Sequence, residues 1–145
     1  MRLKHVFIKD YKNLKDFEIT FDGSSFIDVF VGKNGSGKSN FFEALIKIFH
    51  HLHKEAEISF DYVIEYEMNG HKTEIKWENN QRYVNSKKRK TLASVLFPSN
   101  IIVYYSGHNK QISNLLALYE SSFGKKIKDS TIDDSRFFIG IGPEY

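Results

Sequence analysis

Residues 32–39, GKNGSGKS, constrain the fold of this chain more than any other stretch, because they fit the pattern G-x-x-x-x-G-K-[ST] at every defined position. Glycines let backbone N–H groups turn inward around phosphate oxygens, and the N-terminus of a following helix adds partial positive charge. We expect Lys38 to reach the β- and γ-phosphates of a nucleotide and the Ser39 hydroxyl to bind Mg²⁺. At average glycine usage, a chance match has a probability of about one percent or less.

The predicted cofactors are therefore ATP and Mg²⁺, and Ser39 is the predicted magnesium ligand. The predicted nucleotide-binding residues are those of the loop and the position after it: Gly32, Asn34, Gly35, Ser36, Gly37, Lys38, Ser39 and Asn40.

The sequence on either side of the loop predicts a strand, a turn and then a helix. Residues 26–31, FIDVFV, are almost continuously apolar, which is typical of a buried central strand. A helix is predicted from about Gly37 to His53, because apolar residues recur at three- and four-residue spacings. Its predicted apolar stripe comprises Phe41, Ala44, Leu45, Ile48, Phe49 and Leu52.

Alternating apolar and polar residues predict several antiparallel strands around this unit. Strands are expected at 2–9 and 15–21 around a turn at Tyr11–Leu14, and then at 57–68, 71–77 and 81–85. Asn69-Gly70 between two of them is a strong hairpin signal. The C-terminal part predicts a loop at 86–90, a short helix at 91–96, a strand at 101–105, a helix over Asn109–Phe123, a loop at 124–136 and a final strand in FFIGI.

Composition excludes some classes of protein. The chain has 145 residues and no cysteine, so it has neither disulfides nor thiolate metal sites. Its charged N-terminus lacks the apolar core of a signal peptide, and no apolar run is long enough to cross a membrane. We expect a cytoplasmic domain, or part of one, that does not bind membranes. The net charge of +3 does not by itself indicate nucleic acid.

Two segments resemble a known group of ATPases. GKNGSGKSNFFEAL, together with the opening LKHVFIKDYKNLKDFEITF, resembles ABC-type ATPases of the SMC, RecF and OLD group. The resemblance implies an α/β P-loop NTPase fold, an ABC-ATPase-like N-terminal lobe with a mixed sheet and an antiparallel meander. It also implies ATP hydrolysis by the complete protein and a phosphate contact from Lys12. An exposed turn lysine and a partly buried Tyr11 are the simpler alternative.

A third segment, IIVYYSGHNKQISNLLALY, resembles a branch of OLD-like ATPases in bacterial defence, the PtuA-like ATPases associated with Septu systems and retrons. That branch implies control of a nuclease or DNA-directed effector in anti-phage defence. The implied partners are a second copy in a head-to-tail dimer or higher oligomer, an HNH-type nuclease, and DNA or RNA.

The family's hydrolytic site also needs a signature loop and an apolar strand that ends in Asp-Glu, and the sequence contains neither. We therefore expect the C-terminal lobe to be absent, through truncation or because another polypeptide supplies it, and the chain alone to be inactive. Gln111 is a weak candidate for the family's switch loop. The alternative for Ser106–Asn109 is a helix-entry turn with a capping side chain.

Two further groups are ambiguous. Lys87, Lys88, Arg89 and Lys90 predict either contacts to nucleic-acid phosphates or a solvated loop. His50, His51 and His53 favour a structural role over a metal site, because no carboxylates cluster beside them. For the protein as a whole, a nucleotide-braced structural subunit without turnover and a small P-loop kinase remain alternatives to an ATPase lobe.

Overall fold

The computed structural model describes residues 1–23, 28–31, 33, 35–104, 110–128 and 138–141. The chain divides into two units, Met1–Phe97 and Pro98–Tyr145. The strands of the first unit are β1 (Arg2–Tyr11), β2 (Leu14–Thr20), β3 (Tyr62–Met68), β4 (His71–Glu78), β5 (Gln81–Val84) and β6 (Lys87–Lys88), and its helix is α1 (Lys38–Lys54).

All six strands of the first unit form one sheet in the order β2-β1-β3-β4-β5-β6, and every neighbouring pair is antiparallel. The chain leaves the sheet after β2 and returns with β3 beside β1, so α1 lies in the connection between them. The connection from β2 to β3, which contains the loop and α1, therefore begins and ends beside β1.

One face of this sheet forms the core with α1. Val6, Ile64 and Ile75 lie side by side on three adjacent strands and are fully buried. From the helix, Phe41, Ala44, Ile48, Phe49 and Leu52 are buried, as the predicted stripe requires, together with Ile46. Leu45 is only half-buried. Each fully buried isoleucine contributes roughly 1.5–3 kcal/mol to stability.

The hairpin between β3 and β4 confirms the prediction from Asn69-Gly70. Both residues have positive φ, 52° and 77°, and Met68 pairs with His71 across the turn. Asparagine and glycine tolerate this left-handed backbone better than other residues, so the dipeptide sets the register of the hairpin.

The second unit contains β7 (Ile101–Tyr104), α2 (Lys110–Lys128) and β8 (Phe138–Ile141). β7 and β8 pair in parallel, with Ile101 opposite Phe138. Ile112, Leu115 and Leu116 form the buried face of α2. A strand, a helix and a parallel strand in succession are characteristic of α/β proteins.

The predicted strand at 26–31 is wrong over its described part. Residues 28–31 have no strand conformation, and Val29 and Val31 are 77% and 88% exposed. Residues 26 and 27 lie outside the described residues. An apolar run predicts burial only if other strands are available to pair with it, and none of the described strands pairs with 28–31.

Four other boundaries also differ from the predictions. Residues 57–61 precede β3 and are not strand, and 91–96 are not helical. The predicted loop at 86–90 contains β6, which pairs with β5. α2 continues through 124–128, part of the predicted loop. Residues 129–136 lie outside the described part.

The arrangement is compatible with a P-loop NTPase-like α/β fold. Parallel and antiparallel pairings both occur, but among the described strands they lie in separate sheets rather than in one mixed sheet. Among the described residues, no helix is long and apolar enough to cross a membrane.

Candidate nucleotide site

The phosphate loop leads directly into α1. Gly37 is the N-cap residue with φ 96°, and its carbonyl accepts the first helical hydrogen bond from the Phe41 N–H at 2.8 Å. Gly37 has no side chain with which to cap the helix. The first N–H groups of an α-helix have no partner within the helix, so they can donate to a phosphate at this position. Gly32 and Asn34 lie outside the described residues.

Gly37 also lies close to the β1–β2 turn. A Cβ atom at this position would lie 3.0 Å from Asn13 Nδ2 and 3.3 Å from Leu14 Cδ2. Gly35 also has positive φ, 83°, but a Cβ there would meet nothing within 4 Å. Gly35 is therefore required for conformation alone, whereas Gly37 is required for both conformation and space.

Lys38 folds back over the loop that precedes it. Its ammonium donates to the Lys33 carbonyl at 2.9 Å and approaches Ser36 Oγ at 3.4 Å. A cation held by loop oxygens can exchange those contacts for phosphate oxygens without a change of backbone. Ser39 follows as an exposed residue in the first turn of α1, which contains no acidic side chain. The site is therefore electropositive, as a bound phosphate requires.

The turn between β1 and β2 forms the second wall of the site. Asn40, predicted to bind nucleotide, donates from Nδ2 to Asn13 Oδ1 at 2.7 Å. Lys12, next to Asn13, has φ 53°, a left-handed conformation that tight turns use. The contacts of Asn13 with Asn40 and Gly37 hold this turn against the N-terminus of α1.

Glu43 is a residue of this site that the sequence predictions missed. It is 8% exposed, and its two oxygens accept hydrogen bonds from the Tyr11 hydroxyl and the Lys12 ammonium, each at 2.7 Å. Burial alone would raise the pKa of its carboxyl. The hydrogen bonds from Lys12 and Tyr11 and the charges of Lys12 and Lys47 outweigh burial and hold the pKa below its usual value.

A sequence signal for Glu43 did exist. It is the single charged residue within the apolar segment FFEALI, and it lies four residues after Ser39. The spacing puts both residues on one helix face. The predicted phosphate contact of Lys12 stays a prediction, since the ammonium lies on Glu43 in the structure.

The histidines near the end of α1 take part in packing. His51 is buried, and its Nδ1 lies 2.8 Å from the Tyr62 hydroxyl. The ring of His53 packs edge-on against Phe97 at 4.6 Å. Burial and nearby positive charge lower the pKa values of His50 and His51 to about 4, so both are neutral at pH 7. In the part of the chain that the structure describes, no three metal-binding side chains cluster.

Gln111 is exposed at the second position of α2, in the second unit. Ser106–Asn109, the predicted switch loop or helix-entry turn, lie outside the described residues. The role of Gln111 therefore stays a prediction.

The basic run lines a cleft at the edge of the sheet. Lys87, Lys88, Arg89 and Lys90 are all exposed. Next to them Arg82 is 5% exposed, contacts Glu55 Oε1 at 3.4 Å and the Lys90 carbonyl at 3.3 Å, and lies 5.8 Å from the centre of the Trp77 ring. The cleft has a volume of about 670 Å³, and its charged lining comprises Arg82, Lys88, Arg89, Lys90, Glu55 and Glu57.

Comparison with known proteins gives a family match and a partial match to a curated protein. Residues 1–138 match the family described as the AAA ATPase domain. The DNA replication and repair protein RecF of Lactobacillus acidophilus is 38% identical over 45 residues, which cover 31% of this chain. The match spans only 12% of the RecF protein.

Proposed function

This chain belongs to the AAA ATPase domain family, and from that premise we propose that residues 32–39 bind ATP·Mg²⁺. The observation that carries the proposal is the geometry at the start of α1. The left-handed glycine cap, the N-terminus of α1 and the Lys38 ammonium all lie at the end of the same loop. This arrangement offers a phosphate several N–H donors and a full positive charge in one place.

The residues of the site then have separate roles in binding. Lys38 exchanges its contact with the Lys33 carbonyl for the β- and γ-phosphates. The Ser39 hydroxyl supplies one oxygen to Mg²⁺, which keeps several waters and bridges phosphate oxygens. Lys12 adds charge from the turn beside the loop.

We further propose that the lobe belongs to an ATPase of the SMC, RecF and OLD group. The motif resemblance over residues 1–52 and the partial match to RecF support this assignment. In the complete protein, two such lobes would assemble head-to-tail in the cytoplasm and drive a conformational switch. Control of an HNH-type nuclease in anti-phage defence is the output we propose, on the resemblance of residues 101–119 to PtuA-like ATPases.

The 145-residue chain should bind ATP·Mg²⁺ but release phosphate slowly, below about 0.1 s⁻¹, a hundredfold under the median enzyme turnover of about 10 s⁻¹. Its sequence offers no apolar strand ending in Asp-Glu to polarise the attacking water. Titration with ATP followed by a phosphate-release assay measures both quantities. Fast turnover by this chain would contradict the assignment, and phosphoryl transfer to a small acceptor would support a kinase instead. Tight binding with no turnover, even after a C-terminal lobe is added, would indicate a structural brace.

A second function, contact with nucleic acid, is favoured by the cleft beside the basic run. It combines the Trp77 ring with a net excess of positive side chains. Proteins that bind single-stranded nucleic acid stack its bases on aromatic side chains and contact its phosphates with nearby positive side chains. The two acids in its lining, Glu55 and Glu57, oppose this and limit the expected affinity.

Reversing the charges of Lys87, Lys88, Arg89 and Lys90 to glutamate should weaken binding of single-stranded DNA and flatten its dependence on salt. Each lost phosphate contact reduces the slope of log K against log salt by about 0.7. Fluorescence anisotropy at several salt concentrations measures the slope. Lys72→Glu, an exposed reversal elsewhere on the sheet, is the matched control. An unchanged slope in the quadruple variant would mean that the run is only a solvated edge.

A further inference from the structure

Glu43 binds two residues of the β1–β2 hairpin at once, Tyr11 through one carboxylate oxygen and Lys12 through the other. We propose that Glu43 is a positioning residue, which holds Lys12 beside the phosphate loop so that its ammonium faces the β- and γ-phosphates of bound ATP·Mg²⁺. The inference rests on the proposed nucleotide site, and it adds Glu43 as the residue that orders Lys12 in the β1–β2 turn.

The helix geometry places Lys12 near the expected metal. Ser39 and Glu43 are four residues apart in α1, so their side chains lie on one face, one turn apart. The Lys12 ammonium is held 2.7 Å from Glu43 Oε2, and so it is attached to the helix face that also carries Ser39. From this face we expect the flexible lysine side chain to reach a phosphate oxygen of a nucleotide bound at the loop.

The contacts of the turn explain why one carboxylate is enough to orient it. Asn13 is held by Asn40 and packs on Gly37, so the backbone next to Lys12 is already fixed against the loop. The remaining freedom lies in the Lys12 side chain, which is 36% exposed and has four rotatable bonds. Glu43, with a side chain only 10% exposed, restricts that freedom by keeping the ammonium on this face of α1 before nucleotide binds.

Glu43 is suited to this role because it stays charged. The donors on its two oxygens, Lys12 and Tyr11, keep the carboxylate ionised despite its burial. A neutral side chain of the same shape would still accept from Tyr11 but would lose the attraction for the ammonium. The substitution Glu43→Gln therefore separates the positioning of Lys12 from the packing of α1.

Glu43→Gln should weaken ATP·Mg²⁺ binding about tenfold, measured by isothermal titration calorimetry, and should change AMP binding less than about twofold. AMP lacks the two outer phosphates that Lys12 would face, whereas a merely structural defect would weaken both ligands equally. Tyr11→Phe retains the Lys12–Glu43 pair and should lower ATP affinity less than Glu43→Gln does. Asp10→Asn is the matched control, because it removes an exposed carboxylate–lysine pair, with Lys15, from the same hairpin.

A double-mutant cycle with Lys12→Met completes the test. Because Glu43 acts through Lys12, the double variant should bind ATP no more weakly than Lys12→Met alone. Additive losses, equal losses for ATP and AMP, or wild-type affinity in Glu43→Gln would each overturn the positioning role. The variant Lys38→Ala distinguishes a failure of the positioning role of Glu43 from a failure of the proposed nucleotide site. If Lys38→Ala abolishes binding while Glu43→Gln does not weaken it, only the positioning role is lost; if the wild-type chain binds no ATP, both proposals fall.

Discussion

Replacing Lys38 with alanine should lower the affinity for ATP·Mg²⁺ by at least about a hundredfold, or roughly 2.7 kcal/mol. The Lys38 ammonium folds over the phosphate loop and lies 2.9 Å from the Lys33 carbonyl. Charged hydrogen bonds contribute roughly 1.5–3 kcal/mol each, and Lys38 is expected to make more than one to the outer phosphates. Isothermal titration calorimetry with ATP·Mg²⁺ measures the loss.

The fold should survive this substitution, because Lys38 is half-buried at the start of α1 and lies outside the apolar core. Thermal unfolding of the variant checks this directly. Lys72→Ala, which removes an exposed lysine from β4, is the matched control and should bind ATP normally. Wild-type affinity in the Lys38→Ala chain would show that nucleotide does not bind at this loop.

Gly37→Ala should reduce ATP affinity by about tenfold or more and destabilise the protein at the same time. The residue has φ 96°, a conformation that costs a non-glycine residue roughly 1–3 kcal/mol. The new methyl group would also lie 3.0 Å from Asn13 and 3.3 Å from Leu14, so the β1–β2 turn must move away from the loop. ATP titration and thermal unfolding measure the two effects separately.

Substitutions at two other glycines separate the effect of backbone strain from the effect of the contact with Asn13. Gly70→Ala has a comparable backbone cost, with φ 77° and no neighbour within 4 Å, but lies in the β3–β4 turn. It should lower stability and leave ATP affinity unchanged. Gly35→Ala puts strain into the loop without the contact to Asn13. If Gly37→Ala binds ATP no more weakly than Gly35→Ala does, the close approach of the β1–β2 turn is unimportant for the site.

Local sequence patterns predicted the elements that local interactions stabilise. The Asn69-Gly70 hairpin forms because those residues tolerate positive φ, and α1 forms where the apolar spacing and the glycine cap both favour it. The end of α2 was predicted five residues too early, because the polar residues after Phe123 were interpreted as a loop, whereas α2 continues to Lys128.

Long-range pairing was not predictable in the same way. The run that includes Val29 and Val31 was predicted as a buried strand from its apolar character alone, yet both side chains are exposed. Burial of a strand depends on neighbours that hydrogen bond to it, and these come from other parts of a chain. The pattern of apolar residues within one segment contains no information about which strands will pair with that segment.

The sequence alone determined the loop at which we expect a phosphate to bind, because the glycines, Lys38 and Ser39 are expected to act through the loop backbone and the helix that follows. Only the tertiary structure decided what surrounds that loop. It brought Tyr11 and Lys12 onto Glu43, across more than thirty residues of chain, and set Asn13 against Gly37. Such contacts depend on β1 packing beside α1, which no local pattern encodes.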